Sequence, residues 1–235
     1  GKERYWRLTH GEGFFRHFFN KLKTGTTGND APVTRSFITG VSPVTMDDVT
    51  SGYNIGKNIT TDYELNEIIG FTEDEVRQMF NYYNEQINFE HPVDELFGIA
   101  TKWYDGYIFS KEKTVSLFNS DMVLFFTDMY LPRKKLPDDL IDDNAKTDYK
   151  KLQHLITLDR QLNGNFSVLK KIYEEQEFST ELIKSFPVEK LLDNNCFVSL
   201  LYFFGLLTIK GIKEGETNLV IPNNTIKSFW NDYII

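Results

Sequence analysis

The sequence holds one cysteine, Cys196, so no disulfide can form within the chain. That thiol sits in the apolar run CFVSLLYFF and reads as a buried group in a reducing compartment. Long apolar runs are also lacking: the longest, Cys196 to Ile209, is too short for a bilayer, which needs roughly 20 residues. No signal-peptide pattern opens the chain, so a cytoplasmic location without membrane attachment is expected. Excess positive charge is missing too, since the formal net charge is −8, and a chain-wide footprint for nucleic acid or anionic lipid is disfavoured. The four histidines, His10, His17, His91 and His154, show no metal-ligand spacing and have no cysteine partners, so no metal site is expected. No Gly-x-Ser-x-Gly elbow, internal repeat or low-complexity tract occurs.

What is present is a 235-residue chain with 40% hydrophobic residues, enough for one or two domains with a full core. In GEGFFRHFFNKLK, residues Phe14, Phe15, Phe18, Phe19 and Leu22 make one stripe at helical period, predicting an amphipathic helix packed on something flat. The glycine-rich TGTTGNDAP ends it, and VTRSFITGV follows as a β-rich run without polar alternation, expected to be a strand buried on both faces. In GFTEDEVRQMFNYYNEQI, Thr72 and Glu75 form a capping box ahead of a helix. VDELFGIATKWYDGYIF predicts a helix stopped at Gly106, and NSDMVLFFTDMYL one capped near Ser120 and ended before Pro132. KTDYKKLQHLITL, NFSVLKKIYEEQ and STELIKSF are further helical candidates. The end of the chain reads as a very apolar helix, a hairpin turning between Lys213 and Thr217, and a short aromatic helix. A helix followed by a two-stranded wing is a winged-helix pattern.

Three motifs invite a chemical reading. GYNIGKN, residues 52–58, suggests a phosphate loop, but only three residues separate its glycines and Asn58 stands where a magnesium-binding hydroxyl is needed. The pairs Asp47/Asp48, Asp138/Asp139 and Asp142/Asp143 suggest acid/base or magnesium chemistry, yet in turn-rich segments such pairs read as solvated faces or helix caps. Trp103, Tyr104, Tyr107 and Phe109 of KWYDGYIF could stack on a base; aromatics at a helix end read more simply as core.

The runs LTHGEGFFRHFFNKLKTG, RSFITGVSPVTMDDVTSGYNIGKNIT and GFTEDEVRQMF resemble the AAA-ATPase-like proteins of gut Bacteroidetes and other anaerobes. These are STAND-like, AAA+-related predicted ATPases, often fused to a restriction-endonuclease-like domain. KWYDGYIF, FNSDMVLFF, LIDDNAKTDY and FVSLLYFFGLLTI followed by VIPN continue the resemblance in order, over nearly the whole chain. The resemblance implies that Walker A and Walker B lie upstream of Gly1, which itself is not a methionine, so the chain is expected to be a piece of something longer. It also implies that ATP and magnesium belong to the full-length parent, and that a nuclease-like domain often follows the winged helix.

By that resemblance the strand ending at Ile38 is the sensor strand, Thr39 is the sensor residue facing the γ-phosphate or attacking water, and Gly40 and Ser42 turn the chain away from the site. Ligands of open α/β sheets do sit outside the carboxyl ends of the strands, where Thr39 is the first polar group. TGVSP read alone is equally a strand-ending turn.

The expected fold is mostly α with short β. Residues 1–60 would be the C-terminal part of a P-loop core, 61–175 a helical lid, and 176–235 a winged-helix domain. The expected function is sensor, lid and winged-helix support for ATP hydrolysis, catalytically silent alone, with the missing N-terminal ATPase half as partner. The rival is a winged-helix module that binds protein or DNA without nucleotide; a further rival is a component of a nuclease-linked defence or mobile-element system.

Overall fold

Apolar residues recurring every three or four positions dominate the chain, and the computed structural model, which describes residues 13–40, 56–147, 165–186 and 188–234, is accordingly mostly helical with a single three-stranded sheet among the described residues. Contacts divide the chain into two units, Gly1–Ile59 with Glu181–Phe204, and Thr60–Thr180 with Gly205–Ile235.

In the first unit, α1 (Phe14–Thr26) forms where the phenylalanine stripe predicts it. Two of its last carbonyls are satisfied locally: Lys23 O accepts from Thr27 Oγ1 and Gly25 O from Val33 N. Of the stripe, Phe19 and Leu22 are half-buried, whereas Phe14 and Phe18 are 67% and 51% exposed. The sequence expectation of a doubly buried strand also fails. Residues 33–40 form no strand, and Phe37 and Ile38 are exposed. A strand is completed by a neighbour, and among the described residues all the paired strands lie elsewhere.

The remainder of this unit holds a 3₁₀ turn, Val188–Leu192, and α6 (Asn194–Phe203). Asp193 caps α6 by accepting from Asn195 N and Cys196 N. Phe186, Cys196 and Leu200 form its core with Ile183, Leu191 and Phe204. Cys196 is a buried free thiol, and burial raises its pKa. STELIKSF is not a helix: Ser179 and Thr180 end a strand, and residues 181–186 are irregular, with Ile183 N donating to Ser199 Oγ.

The second unit is built on α2 (Glu73–Ile87), α3 (Val93–Tyr104) and α4 (Ser120–Tyr130). The Thr72–Glu75 capping box is complete in both directions. Val76 and Phe80 of α2, Leu96, Phe97, Ala100 and Tyr104 of α3, and Met122, Val123, Phe126 and Tyr130 of α4 share one core with Phe118. Their spacing of three and four residues is the apolar face that drives the packing. Polar tips are satisfied at the core's edge: Tyr104 OH donates to Leu140 O, and Tyr130 OH accepts from His91 N. In each acidic pair that is described, one carboxylate is held by the fold. Asp139 accepts from Ile141 N and pairs with Lys146, which also pairs with Asp143.

After α5 (Asn165–Glu175) comes β1 (Glu177–Thr180), and after α6 the hairpin β2 (Thr208–Lys213) and β3 (Glu216–Val220). The sheet is antiparallel in the order β1-β3-β2. Glu214 and Gly215 both have positive φ (54° and 88°), the geometry of a two-residue hairpin turn whose twist matches the strands. The chain ends in α7 (Asn224–Phe229), capped by Asn223, and a π turn that buries Trp230.

Glu177 crosses the sheet electrostatically. It accepts from Lys213 Nζ at 2.6 Å, Asn218 Nδ2 at 3.1 Å and Lys210 Nζ at 3.1 Å, and these donors hold its carboxyl at about 2 against an ordinary 4.5. A depressed carboxylate stabilises the fold above its unfolded pKa and stops doing so as pH falls through its folded value. The stability gap between wild type and Glu177→Gln in urea unfolding is therefore expected to be constant above about pH 5 and to close between about pH 4.5 and 2. A gap that persists unchanged at pH 2 contradicts the assignment. The cluster is partly solvated, so the gap is small.

Candidate functional site

An α-helix leaves its last carbonyls without intrahelical donors. At the end of α3, two of them and the carbonyl of the C-cap Asp105 are met by two distant segments of the second unit. Trp103 O accepts from Thr225 Oγ1 at 2.7 Å, Tyr104 O from Asn119 N at 2.8 Å, and Asp105 O from Asn223 Nδ2 at 2.8 Å. Asn223 serves twice, since its Oδ1 also accepts from Ile226 N as the cap of α7. Asn119 is likewise bifunctional, its Oδ1 capping α4 through Met122 N.

The chain leaves α3 through Gly106, at φ 103°. A Cβ here would stand 2.5 Å from Pro222 O, so glycine is required for both its backbone angle and its lack of side chain. Tyr107 then pairs with Leu117, and Phe71 with Phe118, in isolated antiparallel bridges. Asn66 is buried beside them. Its Oδ1 accepts from Phe109 N and Ser110 N, and its Nδ2 donates to Val115 O. Thr208 ties the same stretch to β2, accepting from Ile108 N and donating to Ile108 O.

A cleft of about 50 Å³ opens at this junction, lined chiefly by Trp103, Tyr104, Tyr107, Asn119, Asp121 and Asn223. It has room for roughly three to five waters. A nucleotide needs several hundred Å³. Among the described residues, Asp121 has no hydrogen bond or ion pair through its side chain. Nearby, Asp105 accepts from Ser116 Oγ through Oδ2, while its buried Oδ1 has no partner. The core reading of the KWYDGYIF aromatics holds for Tyr104 and Tyr107, which are buried; Trp103 is only half-buried and borders the cleft.

The residues that sequence reasoning placed at a nucleotide site are not gathered here. Thr39 and Gly40 lie exposed in an irregular stretch of the first unit, and no atom stands within 4 Å of a Cβ added at Gly40. Ser42 lies outside the described residues, as do Asp47, Asp48 and most of GYNIGKN. Among the described residues no three His, Cys, Asp or Glu side chains converge as metal ligands. Asn223 was legible as a cap ahead of a short helix; its second bond, to Asp105 O, and the role of Asn66 carry no local sequence signal. Comparison with protein-family models, curated proteins and solved structures gives no match.

The Gly106→Ala variant is expected to lose on the order of 3 kcal/mol of stability, because it combines a left-handed backbone with a backbone clash. Urea unfolding measures it, and a loss below about 1 kcal/mol means that the Pro222 loop moves freely.

Proposed function

We propose that this chain supplies the lid and winged-helix parts of an AAA-like ATPase, and that its wing engages protein instead of DNA. The observation that carries the reading is topological. Helix α5, strand β1, a 3₁₀ turn with helix α6, and the β2–β3 hairpin follow one another, and the sheet is ordered β1-β3-β2. A winged helix has this order, with the returning strand of the wing lying between the other two. The ATPase half of the reading rests on the sequence resemblance alone.

Chemistry favours a protein partner. A DNA-reading helix presents Arg, Lys, Asn or Gln to base edges along an exposed face. Here α6 has no basic residue and is buried from Cys196 to Tyr202. The wing's Lys210 and Lys213 are already paired with Glu177, so binding a duplex would release few counterions. Titration of the chain against random duplex at low salt is expected to give no submicromolar isotherm, and calorimetry with ATP no micromolar binding. A tight, salt-sensitive duplex isotherm would favour the DNA-binding rival, and ATP binding would mean that the chain holds a nucleotide site of its own.

Thr39 is proposed as the sensor only in the protein that carries the phosphate-binding half, where a neighbouring strand could order residues 33–40. There Thr39→Ala is expected to slow hydrolysis tenfold to a thousandfold, on the order of one lost transition-state donor, with little change in ATP affinity. Wild-type turnover by the folded variant refutes the role.

A further inference from the structure

We infer that the cleft at the end of α3 is a receptor for the guanidinium of an arginine side chain presented by a protein partner, with Trp103 and Asp121 as its recognition residues. Three features point the same way. Trp103, half-buried, gives the cleft an aromatic wall, and an aromatic ring attracts a cation through its quadrupole. Asp121 lines the same cleft with a solvent-exposed carboxylate that no cation of the described chain neutralises. The cleft volume, about 50 Å³, is of the size of a small head group.

The other polar groups on the walls are already committed. Asn119 Oδ1 caps α4, Asn223 caps α7 and bonds Asp105 O, and Thr225 Oγ1 bonds Trp103 O. The Trp103 indole N–H can only donate, so among the described residues Asp121 is the lining acceptor with capacity to spare. Its position in the first turn of α4 does satisfy the helix dipole, but a full negative charge exceeds the roughly half charge of a helix terminus and leaves the mouth anionic. Arginine fits this pairing of ring and carboxylate better than lysine, because its planar fork stacks on an aromatic face while binding a carboxylate with two parallel bonds. The chain's net charge of −8 adds long-range attraction for a basic partner.

The proposal is independent of the ATPase reading. Its test is an NMR titration of the full chain with N-acetyl-arginine amide, N-acetyl-citrulline amide and methylguanidine, following the Trp103 indole N–H. Saturable millimolar binding of the arginine amide is expected, at least tenfold tighter than citrulline, which has the shape without the charge. Asp121→Asn is expected to weaken it at least fivefold, while Asp128→Asn, which removes an exposed carboxylate elsewhere on α4, leaves it unchanged. Equal binding of citrulline, equal loss in Asp128→Asn, or no saturation at about 100 mM overturns the assignment. Tighter binding of methylguanidine than of the arginine amide overturns the protein partner in favour of a free small cation.

Discussion

The second unit depends on how the C-terminal end of α3 is closed. Buried carbonyls need donors, and burying three of them without donors would cost several kcal/mol in all. The donors come from Asn119, Asn223 and Thr225, two of which lie more than a hundred positions downstream of the carbonyls they serve. Folding the helix end correctly therefore requires the C-terminal segment to be in place. Gly106 permits the close approach, since Pro222 O occupies the space that a side chain would need.

From that junction the two halves of the unit acquire different characters. The helices α2, α3 and α4 are joined by an aromatic core in which Phe80, Phe126, Tyr104 and Tyr130 lie against one another, with ring centroids 6.0 to 6.4 Å apart in the pairs that meet. Such pairs add specificity of orientation to the area they bury. The sheet instead combines a buried middle strand with a charged, solvated network around Glu177. Its lysines Lys210 and Lys213 are consumed by the fold's own carboxylate, and this internal neutralisation, more than the overall acidity, disfavours a nucleic-acid role for the proposed wing.

The proposed protein-binding wing and the proposed arginine receptor would give one chain two contact points of opposite chemistry. The apolar α6 shows no charge to a partner, whereas the cleft at Asp121 offers a localised anion framed by rings. Both readings follow from which polar groups are already satisfied and which are left over. Asn223 and Lys213 are committed to the fold; Asp121 has no side-chain partner among the described residues.

Local chemistry was legible in the sequence wherever a single segment decides its own conformation. The Thr72–Glu75 box, the glycine stop at Gly106 and the hairpin turn each depend on neighbours within a few residues, and each is found where the residues predict it. Strands were not legible in the same way. VTRSFITGV has the composition of a buried strand and forms none over residues 33–40, while Glu177–Thr180, whose last two residues open the helical candidate STELIKSF, becomes β1 because β3 offers it a partner. Tertiary structure alone decided which donors meet the end of α3 and that Asp121 lines a cleft with Trp103 without a side-chain partner among the described residues. The physical reason is that periodicity and caps are satisfied within one turn of chain, whereas sheet pairing and cleft formation are satisfied by residues brought together from distant positions.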